Sequence, residues 1–179
     1  MLFEFDKHRT TKISARAMAQ QSLAERQRDI YESHRHRVFS LSYYMTGSEI
    51  EAEDLLQGTF ISAFRKADEP DHATIDHALV DHMKSHMLLA EEESVPVPAA
   101  TVTLGGRNIL RADLEEAIRC LPAMERLVFL LMDVEGYTSA RIASLLGMGE
   151  SEVRRTAMSA RIRLRHELAS ERQDGCQAA

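Results

Sequence analysis

A chain of 179 residues holds one ordinary domain or two small ones, and its 44 % hydrophobic and 28 % charged residues exclude a disordered polymer. Its net charge of −6 argues against a protein that coats nucleic acid indiscriminately, and no apolar run approaches the roughly 20 residues needed to span a membrane. Cys120 and Cys176 form neither a CxxC pair nor a disulfide framework, and the first residues, MLFEFDKHRTTKIS, carry charge too early for a secretory signal; a reducing cytoplasm is the expected setting.

Leu, Ala, Met, Arg and Glu are plentiful, aromatics make up 6 %, and Trp is absent, a mixture that favours helices over strands. The predicted fold is all-α. The first apolar helical pattern begins near Leu23 and runs through Ile30, Val38, Leu41 and Met45 to a stop at Thr46 and Gly47. Ser48 is the expected N-cap of a second helix, with Glu49 and Glu51 in the first turn, where they suit the helix dipole. That helix carries Ala52, Leu55, Leu56, Thr59, Phe60, Ala63 and Phe64 at helical spacing and ends before Asp68-Glu69-Pro70-Asp71. A weaker segment covers 75–89.

Over residues 91–110 the pattern dissolves into prolines, adjacent glycines and small residues, which read as a flexible linker. Two small helical domains are therefore expected, over 1–90 and 111–170, loosely placed relative to each other, with a disordered tail over 171–179. In the second domain Leu110, Leu114, Ile118 and Leu121 mark a helix that stops at Pro122, which suits the first position of the next helix. Leu127, Val128, Leu130 and Leu131 make that next helix largely buried, and Gly136 ends it. Thr138 or Ser139 caps a short helix with Ile142, Leu145 and Leu146, stopped by Gly147, and Gly149 opens a final long helix.

Charge is distributed unevenly. Residues 1–48 carry eight Lys/Arg against five Asp/Glu, residues 49–100 three against twelve, and residues 101–179 eleven against eleven. Between Arg154 and Arg165 stand five arginines and no acid, so a phosphate-binding site belongs there.

The segment TSARIASLLGMGESEVRRTAMSARIRLR, residues 138–165, has the short helix, glycine turn and second helix of a helix-turn-helix. In the second helix Val153, Ala157, Ala160, Leu164 and Leu168 form one apolar stripe, expected to bury against Leu131, Ile142 and Leu145. The opposite face presents Ser151, Arg154, Arg155, Met158, Arg161 and Arg165, and arginines near the start of such a helix reach guanine edges or phosphates in the major groove. An isolated arginine-rich helix is more often a solvated bundle face. The preceding helix and tight turn favour DNA instead, against the repulsion of Glu150 and Glu152 in the first turn.

Here the sequence resembles a family. LEEAIRCLPAMERLVFLLMDVEGYTSARIASLLGMGESEVRRTAMSARIRLRHEL is similar to the fourth domain of extracytoplasmic-function sigma factors, through Leu121, Pro122, Arg126, Val128, Gly136, Ile142, Ala143, Leu146, Gly147, Val153, Arg154, Ala160, Arg161 and Leu164. Glu152 stands where the family usually has Thr, and Arg141 where it usually has Glu. Ala52-Glu53-Asp54-Leu55-Leu56-Gln57 followed by Thr59-Phe60 resembles the family helix that docks on core RNA polymerase. The resemblance implies Glu53, Asp54, Leu55 and Gln57 as the polymerase-binding residues, with core RNA polymerase, promoter DNA and an anti-sigma factor as partners, no membrane and no cofactor. It stops at HATIDHALVDHMKSHMLLAEEES, where the family carries a Trp- and Arg-bearing helix that melts and reads the minus-ten element. Asp68, Glu69, Asp71, Asp76 and Asp81 replace the aromatic platforms and positive charge that single-strand capture uses.

His72, His77, His82 and His86 cluster, the last two at a metal-ligand spacing, but no HExxH or cysteine partner accompanies them and solvated histidines are favoured. No phosphate loop, nucleophile elbow or paired-carboxylate context is present, so no enzyme and no metal are expected. Three readings follow: a sigma factor, a sigma-like protein that binds an anti-sigma partner or polymerase without opening promoters, and a stand-alone helix-turn-helix repressor with a helical sensor domain.

Overall fold

The computed structural model describes the backbone of residues 5–89 and 110–174 and the side chains of 22–87 and 110–169. Among the described residues there are helices and turns and no strand. The linker assigned to 91–110 lies outside them except for Leu110, as does the tail beyond Asp174.

Helix α1, Phe5–Thr46, is 42 residues long and starts well before Leu23. Residues 5–22 contain Ala, Arg, Lys, Met and Gln but no apolar stripe, so the helix forms on propensity, which a search for periodicity does not detect. Helix α2, Glu49–Lys66, starts at Ser48, whose hydroxyl accepts from the Glu51 amide, and ends with Arg65 and Lys66 in its last turn, both charge placements suiting the helix dipole. Helix α3, His72–Leu89, begins three residues earlier than its apolar pattern. Asp71 is the reason: its carboxylate accepts from the Thr74 amide at 2.8 Å and the Thr74 hydroxyl at 2.6 Å. Between α2 and α3, a Cβ on Gly58 would lie 3.0 Å from the His82 ring.

The second module comprises α4 (Arg111–Arg119), α5 (Ala123–Phe129), a π-helical turn (Leu130–Val134), α6 (Ser139–Leu146) and α7 (Glu150–Asp174). Pro122 is the residue before α5 rather than its first, and Thr138 caps α6 by accepting from the Arg141 amide. Leu110 and Leu114 are exposed, so the α4 stripe is buried only from Ile118 onward. Helix α7 continues to Asp174, into the stretch expected to be disordered.

The two helical modules pack against each other, which the expectation of loose placement did not include. Val38, Leu41, Leu55, Phe60, Ile75, Leu79, Val80 and Met83 belong to one apolar cluster with Leu127, Val128, Leu131, Ile142, Leu145, Leu146 and Val153. The physical reason lies in α3, which is buried on more than one side: Ile75 and Leu79, but also Asp76, Val80 and Met83. Asp76, Val80 and Lys84 follow at intervals of four, one above another on a helix. Both ends of that row touch the second module, Asp76 at Arg141 and Lys84 at the Leu146 carbonyl, 3.2 Å away. Arg126 adds a further tie, donating to the Met45 carbonyl at 2.5 Å across the modules and to the Leu121 carbonyl at 2.8 Å within its own.

Candidate nucleic-acid interface

The turn between α6 and α7 rests on Gly147, which takes φ +69°. A Cβ there would meet nothing within 4 Å, so the demand is for the left-handed backbone and not for space. Ser139 at the start of α6 donates to Glu150 at the start of α7 (2.7 Å), fixing the two helices at their ends. Val153, Ala157, Ala160 and Leu164 are all buried and Leu168 is half-buried. The upper half of this stripe joins Leu131, Ile142 and Leu145, as expected. The lower half packs instead on Ala117 and Ile118 of α4 and on Leu121 just beyond its end.

With that stripe inward, Ser151, Arg154, Arg155, Met158, Arg161 and Arg165 all emerge on the exposed side of α7. Met158 is 65 % exposed, a large apolar side chain placed among cations. Arg154 pairs with Glu150 at 2.9 Å, and Arg161 makes a bidentate pair with Asp133, its shortest contact 2.8 Å. Glu150 is thereby held by Ser139 and Arg154, which moderates its repulsion of an approaching phosphate. Among the described residues no ion pair engages Arg155 or Arg165, which leaves these two guanidinium groups open to a ligand. The fifth arginine of the run behaves differently. Arg163 is buried, 2.9 Å from Glu125, and holds α7 to α5.

On the first module, Glu53, Asp54 and Gln57 are exposed, and Leu55 is buried at 7 %. Leu55 therefore anchors α2 and does not face outward. Glu53 and Gln57, with Leu56, line a surface cavity of about 330 Å³ together with Tyr31, Arg35, His36 and Phe39 of α1. Of the four residues the resemblance implies, the groove takes Glu53 and, one turn on, Gln57; Asp54 does not line it.

The model of sigma-70 region 2 matches residues 30–84 and that of sigma-70 region 4 matches residues 111–164. The chain is 28 % identical over 166 residues to the ECF RNA polymerase sigma factor SigE of Mycolicibacterium smegmatis, covering 84 % of this chain and 65 % of that relative. Among solved structures it is similar to the sigma factor RpoE from Bartonella quintana, solved in complex with the anti-sigma factor NepR. The TM-score is 0.56 at 20 % identity, over 84 % of this chain and 96 % of that one. This chain belongs to the extracytoplasmic-function sigma factors.

Within this family frame, α1–α3 carry region 2 and α4–α7 carry region 4, with α3 at the place where the sequence diverges from the family pattern. That helix is not a spare acidic surface. The Asp76 carboxylate, its side chain 3 % exposed, accepts from Arg37 Nη2 at 2.7 Å and the Tyr137 hydroxyl at 2.6 Å, pairs with Arg141, and lies 3.4 Å from His72 Nε2. Arg37 Nη1 reaches Glu135 at 2.9 Å. Burial works against the Arg37 charge, but its bonds to Glu135 and Asp76 prevail and raise its pKa. Burial, then the bond to Asp76, pushes the Tyr137 hydroxyl up to about 12.

This cluster was missed from the sequence, where Asp76 was counted only as an acid unsuited to single-stranded DNA. The one available signal was the Arg141 departure from the family pattern. The clustered histidines disperse: His72 lies at Asp76 and Tyr137, His82 bonds Ser62 at 2.8 Å, and His86 lies 3.5 Å from Glu51. No helix among the described residues is long and apolar enough to cross a membrane.

Proposed function

We propose that this sigma factor is a dissociable subunit that binds core RNA polymerase through residues 1–90 and directs it to promoter DNA through residues 111–170, working in the cytoplasm and performing no chemistry itself. The aligned part spans 65 % of the SigE relative's length, so the activity of that whole protein is carried over here as a proposal. The observation that carries it is the exposed face of α7, with Arg155 and Arg165 unpaired beside Met158 on a helix-turn-helix. On the first module the groove between α1 and α2 supplies Glu53 and Gln57 to a basic polymerase surface. Transcription by purified core polymerase on the DNA upstream of this protein's own coding sequence is the test. Dependence on this chain, lost in Glu53→Lys while helix content stays the same, supports the reading; no association with core polymerase overturns it.

A second reading, a sigma-like protein that binds an anti-sigma factor or polymerase without opening promoters, is favoured by α3, whose buried face is apolar around the one carboxylate of Asp76 and covered by the second module. The structural relative from Bartonella quintana was solved with such a partner. Permanganate footprinting separates the two. Little reactive thymine despite tight polymerase binding supports the second reading, and efficient unaided opening supports the first.

A further inference from the structure

One carboxylate joins the two modules. Asp76 Oδ1 accepts from Arg37 on its own module, while Oδ2 accepts from Tyr137 and Arg141 on the other. Arg37 bridges in the opposite direction, to Glu135 and, at 3.3 Å, to the Tyr137 hydroxyl. The Arg141 guanidinium also lies 4.2 Å from the centre of the Tyr137 ring, so its position is set by two contacts at once. Two of the residues involved stand where this chain leaves its family's pattern. Arg141 replaces the usual Glu of α6, and Asp76 sits in the helix that has lost the aromatic and basic residues.

We propose that Asp76, Arg37, Tyr137 and Arg141 form an interdomain latch that holds the sigma factor closed, with the Asp76–Val80 face of α3 hidden against the helix-turn-helix module until a partner opens it. The charges are arranged for reversible opening. Arg37 and Asp76 both belong to the first module, and Arg141 and Glu135 both belong to the second, so separation leaves one cation and one anion on each side. Neither half is left with a bare buried charge, the condition that makes a broken ion pair most costly. The apolar part of the contact, in which Val80 and Met83 share one buried cluster with Ile142 and Leu146, becomes available to polymerase only in the open form. The exposed face of α7 lies outside the latch, so the closed form withholds α3 and leaves Arg155 and Arg165 open.

The latch itself is a property of the chain, and only its consequence rests on the sigma-factor reading. The experiment uses the full chain with Cys120→Ser and Cys176→Ser and spin labels at Ile61→Cys and Leu114→Cys, both exposed and in different modules. The latch is broken with Arg141→Glu, which restores the acid of the family pattern and sets it against Asp76, and more gently with Tyr137→Phe. Circular dichroism identifies any loss of helix. The latch predicts one short, narrow distance distribution in the parent, a long and broad one in Arg141→Glu, and an intermediate one in Tyr137→Phe. If the closed form is the dominant population, opening it raises the apparent affinity for core polymerase about tenfold, because the competent fraction grows by that factor. Unchanged distributions in both folded variants overturn the latch. Longer distances with unchanged polymerase affinity overturn its inhibitory role. Longer distances with no polymerase binding by any form uphold the latch and overturn the sigma-factor function.

Discussion

Helix α3 ends the module matched by sigma-70 region 2 and α7 ends the one matched by region 4, and the two are built in opposite ways. In α7 the buried residues keep to a single stripe, Val153, Ala157, Ala160 and Leu164, and the rest of the circumference is left to solvent and cations. In α3 burial wraps around the helix, taking in Ile75 and Leu79 on one side and Asp76 and Val80 on another. A helix with one apolar stripe packs on its own domain and keeps a free face; a helix buried more widely must serve a second neighbour. Their electrostatics differ accordingly. Arg161–Asp133 on the α7 side is half-exposed, whereas the Asp76 carboxylate is 3 % exposed among two guanidinium groups and a phenol.

That contrast gives the largest expected effect. Asp76→Ala removes the anion from a buried network and leaves Arg37 and Arg141 facing each other, a class of change that costs about 3–5 kcal/mol. Asp133→Ala removes the partner of Arg161 where water can replace it, and about 0–1 kcal/mol is expected. Urea unfolding of the two variants beside the parent measures both. Equal losses would mean that α3 is no more constrained than α7, and the contrast would fail.

Next in size are the arginines of α7. Arg155→Ala should weaken DNA binding by about 1–3 kcal/mol if the side chain reads a base, with relaxed specificity at that position. If it touches only phosphate, the loss is the same on all sequences and the salt slope falls by about one. Arg163→Ala should act the other way round, lowering stability by separating α7 from Glu125 before it alters any DNA contact. Fluorescence anisotropy over a salt series, with thermal melts of the same samples, distinguishes them. A DNA-specific defect at Arg163 in a fully stable protein would show that the wrong face of α7 has been assigned.

Much of this contrast could be read from residue order, and the part that could not has a common cause. Ser48, Thr138 and the glycines at 47, 136 and 147 mark helix ends by local chemistry, and the α7 stripe has one clean period, so these features survive without knowledge of the neighbours. The α7 period already keeps Arg163 off the outer face, beside Ala160 and Leu164, but its partner Glu125 stands on another helix and cannot be read from residue order. Leu55 is the same problem in reverse, an apolar residue in a polymerase-binding motif that the fold uses as an anchor. The docking of the modules was hidden because the run Ala78-Leu79-Val80 reads as a weak helix when one face is sought. It is a strong helix once two partners are allowed.

The smallest expected effect lies at the edge of the latch and tests whether α3 responds to pH. His72 bonds the Tyr137 hydroxyl at 3.2 Å, lies 3.4 Å from Asp76, and has its ring 5.5 Å from that of His34. Burial lowers its pKa from the ordinary value near 6.5; Asp76 pulls it back up, while Arg37, His34 and Arg141 push it further down. The folded state therefore binds this proton less readily than the unfolded chain. Stability then rises with pH across the window below 6.5 and falls as the solution is acidified through it. Nearly half of the His72 side chain is exposed, so solvent screens the effect and the shift will be small. Thermal melts at pH 7.5 and 5.5 should show a larger drop for the parent than for His72→Asn, which keeps a polar group beside Tyr137 but cannot take up the proton. An identical drop in both proteins would place the acid sensitivity elsewhere. A larger drop in His72→Asn would mean that the attraction of Asp76 for a protonated imidazole outweighs burial, which reverses the sign argued from the position of His72.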